Sequence, residues 1–203
     1  MSIFCGAKRA AVKTLIALPL LVVSTLAQAE VRETIDYVYY EIADPAINGK
    51  TLKHSLDTAS PVVKAGVKRH GENRWLMRWK PQTQIAGDVC KITDVVVDLD
   101  ALILLPELAS QDDAVQQKFN GYVELLQEHL LLHYIIAIQA ANKIELDITN
   151  LEPGVDCDSL LQQADDTAKA IVAQYREKEQ GLDEMTNFGA EQGVVLKDDP
   201  KEH

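Results

Sequence analysis

The sequence predicts an α+β domain: an antiparallel sheet built from the first half of the chain, packed on a long central helix and followed by a second, C-terminal helix. Three observations predict it. Between Val31 and Leu105, stretches rich in β-branched and aromatic residues alternate with the two-residue period of strands and are separated by turn residues. After Pro106 the apolar positions change to a helical period, from about Gln111 to Leu146. Beyond Pro153-Gly154 a second helical stripe runs through Leu160, Leu161, Ala164, Ala168, Ile171, Val172 and Tyr175, giving a helix from about Cys157 to Lys178.

The elements follow in order. Val31–Ile42 alternates as a strand, Asn48-Gly49 marks a turn, and Thr51 caps a short helix over Leu52 to Ala59 that Ser60-Pro61 ends. His54 on this helix reads as a solvent-facing residue. His70 to Asn73 reads as a loop into a strand that puts Trp75, Met77 and Trp79 on one side and Arg74, Arg78 and Lys80 on the other. An aromatic stripe at strand spacing predicts core before it predicts a substrate groove. After the Ala86-Gly87-Asp88 turn, Val89 to Leu105 places Val95, Val97 and Leu99 inward and Asp94, Asp98 and Asp100 outward. Those aspartates predict a wet sheet face, because no glycine-punctuated acidic loop accompanies them as calcium binding would need.

The ends of the chain set its address. Residues 1–29 combine a basic start (Lys8, Arg9, Lys13), an uncharged apolar run and the small-residue site Ala27-Gln28-Ala29, the pattern of a signal peptide cut before Glu30. The mature part is then one domain over residues 30–196 with a frayed acidic tail, 197–203. No later apolar run is long enough to span a bilayer, so no stable membrane insertion is expected. Removing the three basic residues from 20 leaves 17 against 31 acidic ones, a formal charge of −14 that argues against nucleic acid as a partner. Cys5 leaves with the leader, and Cys90 and Cys157 remain as an even pair in an oxidising compartment, predicting a periplasmic or secreted protein with one disulfide between its β-rich and helical halves.

The chemistry concentrates on the central helix. His129 and His133, four residues apart, lie on one helical face and can share a metal ion. Leu125, Leu126, Leu132, Ile136 and Ala140 surround them, so the imidazoles sit against the core or at the base of a cleft. Two histidines alone make a weak zinc site, since catalytic sites supply three protein ligands and a water. Asp183, Glu184 or Glu191, from the segment around Phe188, could complete it, and nothing in the sequence places one of them there. The alternative is a pair of buried imidazoles bonded to backbone or to Tyr134.

Several pieces, in this order, resemble a bacterial family of predicted secreted zinc-dependent proteases that is catalogued as a domain of unknown function. They are Tyr39-Tyr40-x-Ile42, Trp75-x-x-x-Trp79, Gly87-x-x-Cys90-x-Ile92, Leu104-Leu105-Pro106, His129-x-x-x-His133, Cys157, and Thr186-x-Phe188-Gly189-x-x-Gln192-Gly193. The resemblance implies a zincin-like fold, in which an H-E-x-x-H helix supplies two zinc ligands and a catalytic glutamate, and a C-terminal T-x-H-G-x-x-Q-G motif offers a third ligand. This chain departs at both places: Leu130 stands where the family has glutamate, and Phe188 where it has histidine. Leucine cannot take a proton from a metal-bound water. The expected function is therefore a catalytically degenerate homologue that binds a peptide or an envelope protein partner in its old cleft. The alternatives are an active zinc peptidase with an atypical base, and a transition-metal-binding or storage protein.

Overall fold

A computed structural model describes residues 30–196 other than Ala65. The signal peptide and the acidic tail expected at the two ends lie outside the described residues. The chain forms β1 (Glu30–Glu41), α1 (Pro45–Asn48), α2 (Leu52–Ala59), β2 (Val62–Lys64), β3 (Val67–Arg69), β4 (Glu72–Ala86), β5 (Val89–Glu107), α3 (Asp113–Thr149) and α4 (Cys157–Met185). The architecture is α+β, with the long helices packed on a three-stranded sheet in the order β1-β5-β4.

β4 and β5 form a long antiparallel ribbon closed by a two-residue turn at Gly87-Asp88, where Gly87 takes a positive φ of 66°. Pro81 is tolerated because β4 is an edge strand. β1 departs from the all-antiparallel expectation: it lies parallel to β5, in register from Glu30 opposite Val96 to Glu41 opposite Glu107. The reason is connectivity. A tight turn forces antiparallel pairing, but between β1 and β5 the chain runs through two helices, the β2–β3 hairpin and β4, long enough to return either way.

The predicted faces of the ribbon hold. Val95, Val97, Leu99 and Ile103 are fully buried, with Trp75 and Met77 beside them. Asp94, Asp98 and Asp100 lie on the wetter face, where Asp100 pairs with Arg78. Among the described residues they form no metal-holding group.

α3 is a single helix of 37 residues, about 55 Å long. Its N-cap Asp112 accepts hydrogen bonds from the backbone N–H groups of Ala114 and Val115. Gly121 leaves the helix continuous and faces open space. The two ends of α3 serve two cores. Phe119, Tyr122, Leu126 and Leu130 pack with α2 and with Ile103 and Leu105 of β5. Ala137, Ala140, Ala141, Ile144 and Ile148 pack between the sheet and the α4 stripe of Ala164, Ala168, Ile171 and Tyr175, the small alanines allowing close approach. His129 and His133 fall at the seam between these cores.

Cys90 and Cys157 are bridged, Cα atoms 5.2 Å apart, joining the start of β5 to the first residue of α4. Beside the bridge, Cys90 and Gly154 exchange backbone hydrogen bonds of 2.8 Å in both directions. α4 is thus fastened to the sheet at its N-terminus. It runs to Met185, two turns past the expected end near Lys178.

Candidate metal centre

The histidine pair projects from the core face of α3, with both rings buried, centroids 5.0 Å apart and planes nearly perpendicular. The extra turns of α4 bring Glu179 and Asp183, one helical turn apart, against them. Asp183 Oδ1 lies 3.3 Å from His129 Nε2 and 3.0 Å from His133 Nε2. The other ring nitrogens are also engaged: His129 Nδ1 bonds Gln192 Oε1 at 2.7 Å, and His133 Nδ1 faces Glu179 Oε1 at 3.5 Å. The imidazoles are held by these groups. The alternative partner Tyr134 donates to Glu33 instead, at 2.9 Å.

Charge follows from this packing. Burial disfavours an ionised Asp183, but hydrogen bonds from His129 and His133 outweigh it, aided by the charges of His133 and of Lys64 at 3.6 Å, and hold its carboxyl far below the usual range. Burial likewise works against a charged His133, yet Asp183 and Glu179 raise its pKa. Glu179 is lowered despite burial by His133 and by Arg176, whose guanidinium donates to it at 2.9 Å.

The donor set could hold a metal ion. One ligand atom each from His129, His133 and Asp183 lie within 4.8 Å of one another. Spacings of 3.0 and 3.3 Å approach the edge of a tetrahedron whose ligands stand about 2 Å from a common centre. With Nδ1 of each ring directed to Gln192 or Glu179, both Nε2 atoms face Asp183 and, once they give up their protons, could turn their lone pairs to a metal ion, the arrangement by which outer carboxylates and amides orient ligating imidazoles. Of the three acidic candidates, the structure brings Asp183 into the cluster. Glu184 bonds Gln180 and Glu191 lies exposed on the final 3-10 turn.

Leu130 is buried, 4% exposed, in the α2-side core and forms part of the wall of a cleft of about 260 Å³ that also touches His129, His133 and Asp183. Phe188 lies in a tight reversal after α4. Asn187, Phe188 and Gly189 all take positive φ (47°, 54° and 83°), and Thr186 Oγ1 accepts from Gly189 N at 3.1 Å. This reversal delivers Gln192 to His129. A Cβ on Gly189 would stand 2.8 Å from Val194 Cγ2 and 3.1 Å from His129 Cγ. Gly189→Ala is therefore expected to cost about 1–3 kcal/mol and displace the His129 ring, read as a lower thermal midpoint and an altered His129 ring resonance. An unchanged midpoint would contradict it.

Some of the site was not readable in advance. His70, expected in a plain loop, bonds Asp57 through Nε2 at 2.8 Å and Tyr122 Oη through Nδ1 at 2.6 Å. With Asp57 accepting from Nε2–H, Nδ1 accepts from the Tyr122 hydroxyl. Burial lowers the His70 pKa against the pull of Asp57 and raises that of Tyr122. Glu179 was missed too; its one signal is its place one turn beyond Tyr175 on the stripe of α4. His54 is exposed as expected, with no part in the cleft.

No curated protein and no solved structure was found to match the chain. A family model described as DUF922, bacterial protein of unknown function, matches residues 37–189, well over half the chain, and spans β5, the histidine pair, Asp183 and Phe188. The chain therefore belongs to the DUF922 family of bacterial proteins.

Proposed function

We propose that this protein is an exported, zincin-like metalloprotein that holds zinc on His129, His133 and Asp183 and binds a peptide in the adjoining cleft without cleaving it efficiently. The observation that carries the reading is Asp183: a carboxylate from a different helix faces both Nε2 atoms, supplying the third ligand that Phe188 does not. Bound zinc would polarise a carbonyl and acidify a water in its open position. The residues around it do not complete a hydrolytic site. Leu130 offers no base, and among the described residues Asp183 is the one carboxylate in the cleft wall. Glu179, which faces His133, favours a working peptidase only by position, since it is engaged by Arg176 and by His133 Nδ1. Export is supported by the leader-like start and by the disulfide, and no helix among the described residues is long and apolar enough to cross a membrane.

Elemental analysis and zinc titration of the purified mature chain test the reading. About one zinc per chain is expected, with affinity reduced more than about 100-fold in Asp183→Asn, since even outer-shell changes cost 10–100-fold. No zinc uptake would end the metal assignment. Chelator-sensitive cleavage of a peptide library would end the non-catalytic one, and cell fractionation tests export.

A further inference from the structure

The cleft wall is charged against the trend of the molecule. The chain carries a formal net charge of −11, yet Lys53, Lys64, Lys68 and Arg69 line the cavity with Asp183 as the opposing carboxylate. Three of these cations come from the short β2–β3 hairpin. Three of the four are already engaged: Lys53 pairs with Asp57, Lys68 Nζ donates to the backbone oxygen of Ser60, and Lys64 leans on Asp183 at 3.6 Å.

Arg69 differs. Its guanidinium lies over the Phe188 ring, 3.5 Å from the centroid, and no carboxylate pairs with it among the described residues. Its Nε is buried with no hydrogen-bond partner. Stacking on an aromatic face fixes the plane of a guanidinium while leaving its N–H edge unspent, and that edge matches a carboxylate in a two-bonded fork. The buried Nε–H is closed off without a partner, and the two Nη groups, which are not among the buried unpartnered atoms, make the edge that an incoming acceptor would meet. Phe188 lies on the wall between this cleft and a second cavity that shares Lys64, His133 and Asp183 with it, so the fork sits next to the metal centre.

We infer that Arg69, stacked on Phe188 and flanked by Lys64 and Lys68, is a carboxylate-binding subsite, and that the peptide taken by the cleft carries a carboxylate there. The inference rests on the peptide-binding reading above and names its substrate class. The carboxylate comes either from a C-terminus or from an acidic side chain, and both would use the same fork.

Three rhodamine-labelled peptides of one sequence test it by fluorescence anisotropy: a neutral amidated form, its free-acid form, and an amidated form with a central glutamate. Each is measured with zinc and in chelator. At least one carboxylate form is expected to bind about ten-fold or more tightly than the neutral form, in spite of the protein's net negative charge. Arg69→Met should abolish that preference without lowering zinc content, Arg69→Lys should keep part of it, and Lys91→Glu, at the opposite end of β5, should leave it intact. Equal binding of the three forms, no binding of any, or a preference that survives Arg69→Met would overturn the subsite. Which carboxylate form gains affinity identifies the source. A preference that persists in a chain that takes up no zinc would remove the metal reading and leave this one standing; zinc uptake with no preference would do the reverse.

Discussion

Replacing Cys90 and Cys157 by serine is expected to lower unfolding free energy by about 4 kcal/mol, the value for closing a loop of this length in the chain-entropy model. The sequence separation is 67 residues, and the bridge is the covalent part of a larger fastening that includes the paired Cys90 and Gly154 backbone bonds. Its loss should be felt far from the sulfurs. α4 meets the sheet through this end and through its stripe on α3, and it carries Asp183 near its other end. Denaturant unfolding with and without reductant measures the effect, and zinc titration of the serine variant measures its reach. A midpoint unmoved by reductant would mean that packing alone positions α4.

Leu130→Glu, the change that would complete an H-E-x-x-H pattern on α3, is expected to destabilise the metal-free protein by about 3 kcal/mol or more, roughly 6–12 °C in thermal midpoint for a domain of this size. The side chain at 130 is structural. Leu130 packs with the α2-side core, and its Cδ1 would lie 2.8 Å from a Cβ at Gly71, so the chain at the start of β4 closes directly over it. A carboxylate there must shed water beside apolar neighbours or take a proton. Zinc should return part of the loss by binding only the folded form. Thermal denaturation in chelator and with added zinc checks this. An unchanged midpoint in chelator would show that the cleft accommodates the acid.

The features legible in sequence were those with a local signature. Alternation placed the ribbon faces, the i, i+4 spacing put His129 and His133 on one face, and an even cysteine pair gave the bridge. The parallel pairing of β1 was hidden because it depends on a long crossover and not on any residue in the strand. Asp183 was nameable as a candidate but not placeable: after Tyr175 the stripe of α4 continues with Glu179 and Asp183, and buried carboxylates at helical spacing look like a solvated end until their partners are in view. The β2–β3 hairpin, three residues a strand, is too short to show a period, and with it went the cations of the cleft.

The parallel pairing also fixes an order of events. A chain delivered N-terminus first, whether from the ribosome or through an export channel, presents β1 long before β5 exists, so Glu30 must wait for Val96 and Glu41 for Glu107. During that interval Tyr37, Val38 and Tyr39 form an unpaired edge of large hydrophobic side chains, and even in the finished fold they stay 38–52% exposed. The charges spread along the same strand, at Glu30, Arg32, Glu33 and Asp36, then serve timing as much as solubility: they keep the earliest strand from finding a partner in another chain before its own arrives.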